Sequence, residues 1–216
     1  MTLNNSDNAY PPPKPAIGVI LAGGLSQRMG GQDKSLLPLG GLALISHAIN
    51  RAQGQVEKLI ISAPKKSGLD EFGLNVVEDS IPGFAGPLAG VLSALEWTEK
   101  NYPAAKWLAT FAVDVPFMPT DMVEKFITVA GENNYVMARS MGRDHPVFAL
   151  WPITAKEELR LAIKNDGLSR VGQWFENHET LKIDFPSTGS NSEIDPFFNV
   201  NTPTDIGLAE KIFAEY

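Results

Sequence analysis

The chain has no cysteine among its 216 residues. Disulfides, thiolate metal sites and a cysteine nucleophile are excluded, and the composition fits a reducing compartment. Basic residues are in deficit: 18 Lys and Arg stand against 25 Asp and Glu, a formal net charge of −7. That deficit argues against nucleic acid or an anionic membrane as a partner, because both reward clustered positive charge. No apolar run is long enough to cross a bilayer. Residues 1–15 lack the basic and apolar regions of a secretory signal. They are polar, then proline-rich through Pro11, Pro12, Pro13 and Pro15, and read as a flexible tail ahead of one domain over 16–216. A soluble, cytoplasmic protein is the expectation.

Three sequence signatures are also missing. No two glycines stand two residues apart, so the dinucleotide pattern G-x-G-x-x-G is absent, and no lysine follows a glycine as a Walker loop requires. The serine-hydrolase elbow G-x-S-x-G does not occur either. What is present is a different glycine-rich loop, running from Leu21, Ala22, Gly23 and Gly24 through Arg28, Met29, Gly30 and Gly31 to Asp33 and Lys34. It leaves a β-branched apolar run at 17–21, and open α/β sheets bind ligands at such strand ends. Glycines let the backbone approach an anion, and exposed N–H groups with two cations neutralise phosphate. An acidic protein that binds polyphosphate cannot rely on long-range attraction. It needs local donors and a divalent cation, hence carboxylates.

Apolar β-rich segments alternate with helical ones, the pattern of a Rossmann-like three-layer α/β domain with a mostly parallel sheet. Strands are predicted at 17–21, 58–62, 75–78, 107–113, 135–139, 147–150 and 181–185. Helical spacing marks Leu44 to Ala52, the face Leu88, Val91, Leu92 and Leu95, and a helix from Thr120 through Ala130. Residues 141–144 read as a turn between two strands, and 187–195 as a polar loop. Thr154 with Glu157 predicts a capping box for a helix through Ile163. Thr202, with Pro203 at the first helical position, opens a final helix carrying Ile206, Ala209, Ile212 and Phe213.

Asp114 follows the strongest buried-strand candidate, so its carboxylate reaches the same sheet edge as the glycine loop and is suited to Mg²⁺, which takes one or two carboxylates with phosphate oxygens and water. An Asp opening a Val-Pro turn is the simpler alternative. Asp79 also follows a strand end and can meet a base, a ribose or metal, or merely cap a loop. Gly86 to Gly90 offers a helix start that a base can approach, or simple close packing. Arg143 and His145 are candidates for a substrate phosphate or the closing of a hairpin. His47, on an apolar helix, reads as structural and His178 as a solvated surface residue. Asn199 and Asn201 alternate on one face of an extended segment, able to hold polar ligand groups or cap the last helix.

These motifs, in this order over 17 to about 213, resemble the molybdenum cofactor guanylyltransferases of the nucleotidyltransferase superfamily. The resemblance implies Mg²⁺-dependent transfer of GMP from GTP to Mo-molybdopterin, with release of pyrophosphate. It implies that Leu21, Ala22, Gly23, Gly24, Lys34, Ser62, Asp79, Gly86 and Asp114 bind the nucleotide. Arg28 and Lys34 would neutralise phosphates, and Asp114 would hold the metal. Arg143, His145, Asn199 and Asn201 would lie on the pterin side. Molybdoenzymes or other cofactor-biosynthesis proteins would be its partners. One departure stands out: Ser62 occupies the end of the second strand where the family carries an asparagine, which removes an amide from the nucleotide side. Gly23-Gly24 looks like the guanylyl branch; the cytidylyl branch shows Ala-Gly. Two other readings share the loop: a cytidylyl- or sugar-phosphate nucleotidyltransferase, separated by acceptor choice, and a non-catalytic nucleotide-binding cofactor-delivery protein, which would tolerate loss of Asp114.

Overall fold

A computed structural model describes residues 15–23, 33–83, 86–188 and 194–215. The strands are β1 (Ala16–Leu21), β2 (Pro38–Leu39), β3 (Leu42–Ala43), β4 (Lys58–Ser62), β5 (Asn75–Val77), β6 (Trp107–Ala112), β7 (Tyr135–Ser140), β8 (Arg143–Pro152) and β9 (Thr180–Asp184). The helices are α1 (Leu44–Ala52), α2 (Pro87–Asn101), α3 (Met122–Val129), α4 (Lys156–Asp166), α5 (Val171–Glu176) and α6 (Pro203–Glu215). Seven strands form one sheet in the order β5-β4-β1-β6-β8-β7-β9, and β2 with β3 makes a separate hairpin. Only β8 runs antiparallel to its neighbours in the large sheet; the other pairings there are parallel.

Side-chain alternation along β1 explains the three layers. Ala16 and Ile20 pack with Ile45 and Ala48 of α1 and Met122 and Phe126 of α3. Ile17 and Val19 point the other way, onto Val91 and Leu95 of α2, Leu159 of α4 and Trp174 of α5. Burying each of the Ile, Val, Leu, Met and Phe side chains among these stabilises the fold by about 1.5–3 kcal/mol. Gly18 is required because a Cβ there would stand 2.9 Å from Leu59 and 3.0 Å from Phe111 and Val56. A third, smaller cluster joins Leu39 and Leu44 to Phe117, Val200 and Ala209, tying the hairpin and α6 to the loop after β6.

The predicted strands and longer helices appear where periodicity put them, with four corrections. The capping box at Thr154 does not form: α4 begins at Lys156 behind Ala155, which makes no side-chain cap. Thr154 Oγ1 donates instead to Asn133 Oδ1 at 3.2 Å. Arg143 and Asp144 belong to β8 rather than to a turn, because Met141 (φ 47°) and Gly142 (φ 76°) complete the reversal by themselves. His178 is not a solvated surface residue: it stacks on Trp174 at 4.0 Å and bonds the Trp174 carbonyl and Glu158. The hairpin β2–β3 and the short α5 had no sequence prediction, since each is too brief for periodicity to register. His47 is structural as expected, its Nε2 2.8 Å from the Leu39 carbonyl.

Candidate functional site

The parallel strands β1, β4, β5 and β6 deliver their carboxyl ends to one edge. The residues just beyond them, together with the start of β8 and segment 199–203, line a cavity of about 770 Å³. Leu21, Ala22 and Gly23 come from β1, Ser62 from β4, Asp79 from beyond β5, and Asp114 from beyond β6. Gly86, Pro87 and Gly90 come from the start of α2, while Asp144 to Phe148 and Asn199, Asn201, Thr202 and Pro203 close the opposite flank. The structure thus brings together every sequence-predicted site residue it describes except Arg143, which is exposed and outside the lining. Arg28 and Gly24 lie outside the described residues, as does the tail 1–14.

Three of the lining residues form a charged triangle. Lys34 Nζ donates to Asp114 Oδ2 at 2.6 Å and to Asn201 Oδ1 at 2.7 Å. Three separate local devices hold it there. Asp33 caps the short turn Lys34–Leu36, its Oδ1 accepting from the Ser35 N–H at 3.0 Å and hydroxyl at 2.6 Å, which presents Lys34 outward. The Val200 N–H donates to the Asp114 carbonyl at 2.9 Å, and Val200 is fully buried, so its neighbours Asn199 and Asn201 are left at the cavity. Thr202 caps α6 reciprocally with Asp205: Asp205 Oδ2 accepts from the N–H groups of Asn201 and Thr202, and Thr202 Oγ1 accepts from the Asp205 N–H.

On the flank built from β1, β4 and β5, the backbone stands close to the cavity. Among the described residues, a Cβ at Gly23 would meet nothing nearer than the Ser62 carbonyl at 3.9 Å, and Gly23 lines the cavity. Gly86 has φ 151°, and a Cβ would lie 2.7 Å from the Ser169 carbonyl, which leaves glycine alone fit to start α2. Gly90 lets α2 press on the end of β4: a Cβ would fall 2.4 Å from Ser62 Oγ. No described residue bonds the Asp79 carboxylate, and burial against the cavity wall pushes its pKa above the ordinary carboxylate range.

The opposite flank is organised by a bulge. Register in the β7–β8 pair jumps between Met137 and Ala138, so that Met137 opposes Ala149 while Ala138 opposes His145. Pro146, Val147 and Phe148 fall in the excess, where proline has no ladder bond to break. Thr110 Oγ1 donates to the Val147 carbonyl at 2.6 Å and steadies the bulge. His145 stacks on Phe197 at 4.6 Å and bonds Ser140 Oγ at 2.7 Å through Nε2; Ser140 Oγ donates to Asp195 Oδ1 at 2.6 Å. Ser140 and Asp195 were not among the sequence candidates. They lie 55 positions apart, and no spacing rule links residues that a sheet and a returning loop bring together.

Among the described residues no three His, Cys, Asp or Glu side chains form a metal cage. Asp114 and Asn201 nevertheless aim oxygens at one cation, the Lys34 ammonium. One carboxylate and an amide oxygen beside a cavity suit Mg²⁺ that completes its shell with phosphate oxygens and water. The residues fit a metal that is shared with a nucleotide.

The family described as the MobA-like NTP transferase domain matches residues 18–181. A molybdenum cofactor guanylyltransferase of Mesorhizobium japonicum is 40% identical over 200 residues, covering 90% of this chain and 94% of that protein. Molybdopterin-guanine dinucleotide biosynthesis protein A from Archaeoglobus fulgidus shares the fold, with TM-score 0.71 at 21% identity over 93% of this chain and 100% of that one. Rv0371c of Mycobacterium tuberculosis, solved in complex with manganese, has TM-score 0.66 at 17% identity over 91% of this chain and 98% of its own.

Proposed function

We propose that this chain, which belongs to the MobA-like NTP transferase family and within it to the molybdenum cofactor guanylyltransferases, moves GMP from GTP onto the phosphate of Mo-molybdopterin and releases pyrophosphate. It is a nucleotidyltransferase. The single observation that carries the finer reading is the Lys34–Asp114–Asn201 triangle, which puts a cation and hard oxygen donors in the wall of the cavity.

The roles follow from charge and position. The acceptor phosphate is already a nucleophile, so no side chain has to be activated as one. Catalysis then rests on in-line placement and on neutralising charge that builds on the triphosphate. Leu21 to Gly23, Ser62, Asp79, Gly86 and Gly90 form the nucleotide flank, with glycines giving base and phosphates access to backbone. Lys34 neutralises phosphate oxygens, assisted by Arg28. Asp114, with Asn201, would hold Mg²⁺, and the metal when bound supplies charge neutralisation at the phosphates. Asn199, Asn201 and His145 line the acceptor flank, and Arg143 contributes positive charge at its rim. GTP is drawn from the cytoplasm, and molybdoenzymes would receive the product.

The test is turnover of GTP, CTP and ATP with purified Mo-molybdopterin, with and without Mg²⁺. Product with GTP alone, dependent on Mg²⁺, is expected. Binding should also raise apparent stability by about 2.7 kcal/mol at a hundredfold excess of ligand over Kd. A preference for CTP would move the chain to the cytidylyl branch. GTP binding without turnover would make it a delivery protein.

A further inference from the structure

We infer that Ser140 and Asp195 are positioning residues that lock the His145 imidazole as its Nε2–H tautomer, offering the Nδ1 lone pair to a hydrogen-bond donor on the acceptor substrate. The inference rests on the acceptor reading of this flank, and its core is proton counting. An ionised carboxylate only accepts, and a serine hydroxyl has a single proton. Asp195 Oδ1 takes that proton at 2.6 Å and also accepts from the Phe197 N–H at 2.8 Å. The Ser140 oxygen can then only accept, so the partner 2.7 Å away, His145 Nε2, must carry the hydrogen. In a neutral imidazole the other nitrogen is then an acceptor. No described residue bonds Nδ1, while the ring lines the cavity.

The surroundings keep the ring neutral and still. Burial, on the Phe197 face, holds the imidazole pKa below its usual value; Asp195 and Asp144 oppose that and Arg143 adds to it. Ser140 is fully buried and cannot rotate into water. A fixed lone pair repels phosphate oxygens. It suits instead an N–H edge, and the pterin half of the acceptor carries such edges while its phosphate carries none. His145 on this account reads the heterocycle, and the phosphate is left to the cations.

Three histidines in the chain make the tautomer directly measurable. Histidine ring nitrogens labelled with nitrogen-15, assigned with H145Q, should show the Nε2–H pattern for His145 in the wild type and a mixture in S140A. S140A should raise KM for molybdopterin about tenfold, the size of one neutral hydrogen bond, with KM for GTP unchanged and kcat within about twofold. D195N keeps an oxygen for Ser140 and for the Phe197 N–H, so it should retain both the tautomer and the KM. An Nδ1–H tautomer in the wild type overturns the inference. So does S140A with a scrambled tautomer and an unmoved acceptor KM, or an equal loss of affinity for GTP, which would mark the cluster as merely structural. Wild type that turns over no molybdopterin fails the functional reading and the donor assignment together, while the spectra alone still decide the lock.

Discussion

The two flanks of the cavity are built on opposite principles. On the flank proposed for the nucleotide, groups hang from loops just past parallel strand ends: Gly23 lines the cavity without a side chain, Asp79 has no described partner, and Lys34 sits on a single capped turn. On the flank proposed for the acceptor, His145 stands on a strand, stacked on Phe197 and hydrogen-bonded to a fully buried serine. A triphosphate brings its own strong charge, so the protein need only leave space and supply counter-charge. A neutral heterocycle offers weak, directional hydrogen bonds, and these discriminate only if the partner is held still before the ligand arrives.

Breaking the centre that both flanks share should have the largest effect. Asp114→Ala is expected to lower kcat/KM by about a thousandfold or more, about 4 kcal/mol of transition-state stabilisation. The fold should survive, since the Val200 N–H bonds the Asp114 backbone and not its side chain; single-turnover GTP consumption with circular dichroism checks both. Next comes the packing of the nucleotide flank. Gly90→Ala places a Cβ 2.4 Å from Ser62 Oγ and should cost about 1–3 kcal/mol of stability and weaken GTP binding. Adding Ser62→Ala removes the nearest obstacle, so the double variant should recover most of both in denaturant melts and GTP titrations.

A smaller effect separates function from stability on that same flank. The Asp79 carboxyl has its folded pKa raised above 3.8, because burial disfavours the ionised form. Its stabilising share is present at low pH and is lost as pH rises from 3.8 through the folded value. Asp79→Asn should therefore raise the Tm of the ligand-free protein at neutral pH while weakening GTP binding, and the Tm gain should vanish below pH 3.8. The smallest effect belongs to the acceptor flank. The folded pKa of His145 is depressed below 6.5, so the unfolded chain binds the extra proton first, and stability falls as pH drops from 6.5 through the folded value. His145→Gln should flatten that part of the Tm–pH curve. An unchanged slope would show that the ring is not held neutral.

Legibility in the sequence tracked locality. Leu21 to Gly23, Asp79 and Asp114 were readable because each lies at or just beyond the end of a strand whose apolar run identifies it, and parallel strand ends share an edge. The cap by Thr202 was readable for the same reason, as the Asp205 N–H it accepts from is three residues away; the return bonds to Asp205 Oδ2 were added by the structure. The start of β8 was not, because Pro146 argues against a strand unless a bulge is already known. The failed cap at Thr154 shows the converse: a fitting local pattern lost to Asn133, a partner 21 positions away.

What the sequence by itself determined is the layered α/β frame and the sheet edge at which the candidate residues gather, since strand periodicity and the residues following each strand are local properties of the chain. What only the tertiary structure decided is which groups meet across that edge. Lys34 joins Asp114 and Asn201 over 80 and 167 positions, and Ser140 joins Asp195 over 55. Those distances along the chain are closed by sheet order and by the return of segment 195–201 over the end of β6, and by no rule of spacing.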